Sequence, residues 1–259
     1  MKTHLLIQCL LLIGGITVNA QTWLTNGLVG YFPFNGNAND ESGFGHNATV
    51  MGDGVQLVQG VNGAPNSAYR GIYPGGLNYI EGSGIDLANS PLSISLWFKK
   101  DYTDYSLQHG AILRVGVVGP AGGETGRQIS IAPAYNGAGL RFTFFYDDFN
   151  VATPVGNGTW SHIGCTFNNS TMERRIYIDG NLIATNIAVR GFSGPTYFDF
   201  TPSGGAESGM MDQVRFYNRV LSAGEIAQLY QVESVPESGV LAFMVAVMVM
   251  LALRGRAAY

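Results

Sequence analysis

Apolar and polar residues alternate in short runs along the middle of the chain. In Leu92-Ser93-Ile94-Ser95-Leu96-Trp97-Phe98 the apolar side chains fall on every second position, the period at which a β-strand turns one set of side chains inward. The pattern predicts a strand with one buried face and one wet face. Similar runs at Leu28 to Phe34, Ala111 to Val115, Gln128 to Ala132, Leu140 to Tyr146, Trp160 to Phe167 and Arg174 to Ile178 are separated by clusters of Gly, Pro, Asn and Asp. Between Arg175-Ile176-Tyr177-Ile178 and Leu182-Ile183-Ala184 stands Asp179-Gly180, a hairpin signal, because a type I′ turn needs positive φ that these two residues tolerate. Many short strands with such turns predict an all-β sandwich or barrel. One helix has a clear start. Ser222-Ala223-Gly224-Glu225 is a capping box, followed by Ile226 and Leu229 at helical spacing, and it predicts a short C-terminal helix capping the strands.

Both ends break this pattern. Lys2, an apolar run from Leu5 to Ile16 and the small residues of Val18-Asn19-Ala20 predict a cleavable signal peptide over residues 1–20, and hence export. At the other end, Val240 to Leu253 is uninterrupted apolar sequence, followed by Arg254-Gly255-Arg256. At ~1.5 Å per residue the run covers about 21 Å, short of a ~30 Å hydrocarbon core. Arginines behind it place the tail inside and the body outside. With Pro236-Glu237-Ser238 ahead of it, this end resembles the bacterial Pro-Glu-Pro sorting tails that an exosortase processes. Two readings stay open: a membrane anchor that remains, or a tag that a sorting enzyme removes. The organisation expected is therefore a body over 21–231, a linker over 232–239 and an anchor with a basic tail over 240–259.

Composition narrows the partners. The net charge is −4 and only 12% of the 259 residues are charged, which argues against nucleic acid, since neutralising phosphates needs clustered Lys and Arg. The 36 glycines and 12% aromatic residues suit turns and strands. Cys9 falls in the signal peptide and Cys165 in a strand-like run, so the processed chain has one thiol and no internal disulfide; Cys165 reads as a small buried apolar residue.

Four segments resemble the laminin-G-like jelly-roll domains of bacterial secreted proteins. They are Gly27 to Thr49, including Tyr31-Phe32-Pro33-Phe34-Asn35-Gly36; Ser93 to Phe98; Trp160-Ser161-His162-Ile163 running on to Asp179-Gly180; and Gly209-Met210-Met211-Asp212-Gln213-Val214-Arg215-Phe216-Tyr217 through Leu229-Tyr230. The resemblance implies a concanavalin A-like two-sheet jelly-roll sandwich with the short helix as a cap. Where such domains often have Phe-Asp-Gly, this chain has Arg70-Gly71-Ile72-Tyr73-Pro74-Gly75-Gly76.

The loop Asn35 to Asn47 is rich in Asn, Gly, Asp and Ser, the oxygen donors a hard cation takes. Asp40 is the natural anchor of a structural Ca²⁺ site. The resemblance brings this loop to the strand near Met211, so that Asp212 supplies a second carboxylate and Ser42 and Asn47 add oxygens. The alternative is an Asx-turn network in which Asp40 caps backbone amides. No carboxylate pair has the spacing of a glycosidase: Glu207 and Asp212 are badly spaced, and Asp147-Asp148, adjacent on a strand, point to opposite faces or form a loop tip. His4, His46, His109 and His162 are scattered, with His162 expected to be half-buried and satisfied. No serine elbow or phosphate-binding loop occurs. Tyr73, Tyr79, Tyr102, Tyr105, Tyr135, Tyr146 and Phe149 lie in or beside loops where rings can stack on sugars. The sequence thus predicts a non-catalytic extracellular module that binds polysaccharide or a matrix polymer, or, as the alternative, a structural or adhesive matrix or envelope protein without a sugar site.

Overall fold

The computed structural model describes residues 22–71, 78–100, 111–116, 126–134, 139–201 and 209–234. The expected signal peptide, residues 72–77 and with them Tyr73, as well as Tyr102, Tyr105, Tyr135, His4, His109, Glu207 and the tail from 235 onward, lie outside them. Strands are β1 (Leu28–Phe32), β2 (Thr49–Met51), β3 (Val55–Val58), β4 (Ala68–Gly71), β5 (Tyr79–Gly82), β6 (Leu92–Lys100), β7 (Leu113–Gly116), β8 (Gln128–Pro133), β9 (Leu140–Thr143), β10 (Asp148–Val151), β11 (Ser161–Asn168), β12 (Glu173–Ile178), β13 (Asn181–Ile187), β14 (Phe198–Phe200) and β15 (Gly209–Tyr217); helices are α1 (Thr22–Thr25) and α2 (Ala223–Glu233). Among the described residues no helix is long and apolar enough to cross a membrane.

The strands form two antiparallel sheets, as the two-sheet sandwich requires. One runs β13-β12-β11-β6-β15-β4-β3, with β1 also on β15; the other runs β10-β9-β8-β7-β14-β5-β2. Between them lies the core, where Phe32, Phe34, Phe198, Phe200 and Phe216 pack with ring centroids 5.0 to 6.5 Å apart. Each such ring contributes roughly 1.5–3 kcal/mol by leaving water. Cys165 sits in the same core as a buried apolar residue, as its sequence context predicts.

β15 pairs with two strands on one side, β4 at Gly209 to Met211 and β1 at Val214 to Tyr217. The change of partner falls at a bulge between Asp212 and Arg215, where Gln213 adopts φ +51°, a value costly for a non-glycine residue. The Asp212 carboxylate holds this bulge, accepting from the Gln213 amide at 2.7 Å and from Val61 at 2.9 Å.

The expected hairpin is present: β12 and β13 join through Asp179 (φ 50°) and Gly180 (φ 78°). The capping box is also present, with Ser222 Oγ accepting from Glu225 N and the Glu225 carboxylate accepting from Ser222 N. α2 lies on the outer face of the β6 sheet. A Cβ at Gly164 would come 3.2 Å from Ile226, and one at Gly180 would come 3.3 Å from the Ala227 Cα, so both glycines admit the helix. This cover corrects one expectation: β6 has no wet face. Ser93 and Ser95 are fully buried, Ser93 Oγ donating to Arg219 O and accepting from Leu221 N at 2.8 Å each. The run Leu140 to Tyr146 is also not one strand; it turns after Thr143.

Candidate functional site

The loop from Asn35 to Asn47 brings three of the four expected ligands together. Asp40 Oδ1 accepts from Tyr31 N and Ser42 N, Asp40 Oδ2 accepts from His46 N, and Asn47 Oδ1 accepts from Asp40 N, each at 2.9 Å. Burial pushes the Asp40 carboxyl up, but the Ser42 hydrogen bond and the three amides more than reverse it and hold it below its ordinary value. The Ser42 hydroxyl itself accepts from Phe44 N at 3.3 Å. Asp212 turns instead to Val61 and Gln213, and burial pushes its carboxyl up to about 7 against those two amides and Arg215. A calcium ion needs six to eight oxygens. As placed, the side-chain oxygens of Asp40, Ser42, Asn47 and Asp212 face N–H groups, and among the described residues no three His, Cys, Asp or Glu side chains form a metal-holding group. As placed, these oxygens cap backbone amides in the manner of an Asx-turn network.

Under α2 lies a second polar cluster. Ser95 Oγ is 2.8 Å from His162 Nε2, and Glu233 Oε2 is 4.0 Å from the same nitrogen. The Trp97 indole donates to Glu233 at 2.7 Å, and Arg215 pairs with Glu233. The three residue types are those of a serine triad, but Ser95 and Glu233 meet one ring nitrogen, Nδ1 has no partner among the described residues, and Ser95 and His162 are sealed from solvent. A triad needs the acid on the opposite nitrogen and an accessible nucleophile. His162 is therefore more buried and less satisfied than its sequence context predicts; burial, with Arg215 adding, holds it down at about 3. The cluster seats the helix.

Asp147 and Asp148 do point to opposite sides, and neither forms the tip expected of them. Asp147 enters the sandwich, where Arg174 Nη1 and Nη2 donate to its carbonyl and Oδ1 at 2.7 and 2.9 Å and Val189 N donates to Oδ2 at 2.7 Å. Arg174 is fully buried, 5.2 Å from the centroid of Phe144 and 5.7 Å from that of Phe149. Asp148 opens β10 on the outer face.

That outer face carries a cleft of about 210 Å³. One register row crosses the sheet: Thr49 faces Glu81, Glu81 faces Asp199, and Asp199 faces Arg114. The row continues through Ser130 and Thr143 to Asp148. Every strand of the sheet thus gives it one polar residue, at the ~4.8 Å spacing of neighbouring strands. The cleft occupies the end of the row nearest β10. Arg114 chelates Asp199 through Nε at 2.9 Å and Nη2 at 2.8 Å, and burial raises the Asp199 carboxyl against that pairing. Arg141 Nη1 lies 4.0 Å from Asp148. Thr143 Oγ1 is buried with no hydrogen-bond partner among the described residues.

At the rim, β9 and β10 join through Phe145 and Tyr146, with Phe144 N donating to Asp147 O at 3.3 Å. Both central residues have positive φ, 29° and 61°, the requirement that Asn-Gly normally meets in a type I′ turn. Bulky residues there are conformational outliers, and outliers of this kind gather at ligand clamps. The rings meet at 4.5 Å edge to face, and Tyr146 is 81% exposed. Sequence reasoning singled out Tyr146 as one ring among many and missed Arg114, Gln128, Ser130, Arg141 and Thr143. Their signal was the polar half of the alternation in Gln128-Ile129-Ser130 and Arg141-Phe142-Thr143, which shows a shared face only once the register is known.

Residues 74–227, more than half of the chain, match a laminin G family model described as the concanavalin A-like lectin/glucanases superfamily. No curated protein matches the chain by sequence. Among solved structures, the chain is similar to the binding domain of Paraclostridial Mosquitocidal Protein 1, at 18% identity and TM-score 0.63 over 80% of this chain and 52% of that one. It is similar to the receptor-binding domain of botulinum neurotoxin type G at 15% identity and TM-score 0.61, over 80% and 51%. A structure of botulinum neurotoxin type C, concerned with cell entry through two ganglioside molecules, matches at 18% and 0.63, over 80% and 51%. The chain spans about half the length of these structures, and at such identities the likeness is one of fold.

Proposed function

The chain belongs to the concanavalin A-like lectin/glucanases superfamily, and from that premise we propose that it is a non-catalytic extracellular module that binds carbohydrate in the cleft of its seven-stranded sheet. The observation that carries this reading is the pairing of an exposed ring on a strained turn with a polar, partly unsatisfied floor. Aromatic faces stack on the apolar faces of sugars while floor groups bond their hydroxyls, the usual make-up of a small-ligand site. A non-catalytic role is supported by the opposed Asp147 and Asp148 and by the sealed histidine. Two of the similar toxin structures are binding domains, one of them receptor-binding, and the third concerns cell entry dependent on gangliosides, which supports a binding role without naming this chain's ligand. Export rests on residues 1–20. Retention at the surface by the C-terminal tail, with or without cutting by a sorting enzyme, belongs to the same proposal. The full-length chain tested on a glycan array binds at least one glycan and loses that binding on Tyr146→Ala; an array with no hits overturns the proposal.

The proposal includes no ion, because the Asp40 and Asp212 carboxylates already serve as caps for backbone amides. Adding calcium or a chelator leaves the melting temperature unchanged, and a calcium-dependent rise would restore the ion to the first loop.

One observation favours the alternative of a structural or adhesive protein. β13 is the edge of its sheet; Leu182 and Ile187 in it are 50% and 63% exposed, and Val189, two residues past its end, is 76% exposed. The segment Asn181 to Val189 contains no charge and no proline, the usual protections of an open edge. Concentration-dependent association abolished by Ile187→Lys, in a chain that binds no glycan, would select this reading.

A further inference from the structure

We infer that the cleft takes a neutral glycan rather than an acidic one, an inference that rests on the carbohydrate reading above. The cationic groups that would recruit a uronate or sialate are matched already. The Nε/Nη2 edge of Arg114 is on Asp199, so its charge is matched and that bidentate edge is taken by the protein. Arg141 has Asp148 beside it, and Asp148 stands at the mouth, so an incoming anion meets a carboxylate first. Farther along the row, Glu81 is another acid, accepting from the Tyr197 hydroxyl at 2.8 Å. Like charge brought to such a site disfavours binding as well as giving specificity.

What remains open on the floor is neutral. Thr143 is only 6% exposed and its Oγ1 has no hydrogen-bond partner among the described residues. Gln128 Nε2 and Ser130 Oγ meet each other at 3.2 Å, leaving further donor and acceptor capacity on both side chains. Hydroxyls and a carboxamide both donate and accept, which matches the hydroxyls of a neutral sugar and offers a carboxylate no charge. A ligand hydroxyl would also give the orphaned Thr143 oxygen the partner it lacks, recovering a desolvation cost already present in the empty fold. Tyr146 supplies the face for one ring.

The test uses the full-length chain against soluble neutral glycans (glucan, mannan, galactan), polyuronates (alginate, polygalacturonate) and sialyllactose, at low and high salt. The expected result is binding to a neutral glycan that changes less than about twofold with salt, since no net charge is neutralised. Thr143→Val, which keeps the side-chain shape, and Tyr146→Ala each weaken it about tenfold or more. Asp148→Asn, at an exposed position, shifts the affinity ratio at least about tenfold toward the polyuronates, because the carboxylate that an incoming anion meets first is removed. Wild-type preference for an acidic glycan, or neutral binding indifferent to Thr143→Val and Tyr146→Ala, overturns the inference while leaving the carbohydrate reading intact. Binding to no glycan overturns both.

Discussion

Replacing Phe145-Tyr146 by Asn-Gly should make the protein more stable and the site useless. Both residues are L-amino acids held at positive φ, 29° and 61°, and the left-handed region costs a side chain with a Cβ about 1–2 kcal/mol per residue. The pair therefore stores roughly 2–4 kcal/mol. Asn tolerates this region and Gly has no preference against it, as Asp179-Gly180 demonstrates in the β12–β13 turn of the same molecule. Against the gain stand the edge-to-face contact between the rings, about 0.5–1.5 kcal/mol, and the extra backbone freedom of glycine, about 0.5–1 kcal/mol. The balance favours the double variant by roughly 1 kcal/mol, or about 2–4 °C in melting temperature for a chain of this size. Thermal melts give the first readout and glycan affinity the second. A fall in melting temperature would mean that the rings are structural packing and not a displayed surface. Unchanged affinity would refute the link between strain and binding.

Other predictions concern buried groups. Asp212 is raised from its ordinary 3.8 to about 7, so between those values the native state keeps a proton that the unfolded chain releases, and its contribution to stability falls as pH rises. His162, held at about 3, acts oppositely below its ordinary 6.5, and the wild-type profile is correspondingly shallow. Relative to wild type, Asp212→Asn should gain on the order of 2–4 kcal/mol between pH 4 and 7.5; urea midpoints that move in parallel across this range would show that Asp212 does not titrate there. The Cys165 thiol, raised by full burial, should resist a thiol reagent until denaturant is added, and rapid labelling of the native protein would contradict the core placement. Ser222→Ala removes the α2 cap and should cost about 1 kcal/mol, read from the same urea midpoints; no loss would mean that the helix is held by its seat on Trp97 and His162 alone.

The fold was legible where one side chain per two residues meets the core. β6, β8, β11 and β12 follow from alternation, the β12–β13 hairpin from Asp-Gly, and α2 from its capping box. β14, three residues long, is too short to carry a period. Sequence patterning also treated Ser93 and Ser95 as wet because their cover comes from a helix more than a hundred residues later. The Leu140 to Tyr146 run reads as one strand because aromatic residues normally extend strands; here two of them occupy a turn that their own backbone preferences oppose. Such local contradictions are where function is expected. The cleft stayed hidden for another reason. Ser130, Thr143 and Asp148 are ordinary polar residues one by one, and only antiparallel register sets them side by side. Asp40 was recognised as the centre of its loop, but sequence composition does not distinguish an oxygen offered to a metal from one given to amides.

Arg174 gives the hairpin a mechanical property. It belongs to β12 in one sheet, yet its guanidinium holds Asp147, the residue directly after Tyr146 in the other sheet's turn. A pull on the Phe145-Tyr146 turn therefore does not simply unzip β10 from β9. It has to pull an ion pair out of the interior first, so the load is shared by both sheets. In the proposed binding mode, that ties the strength of the grip to the sandwich rather than to a single hairpin.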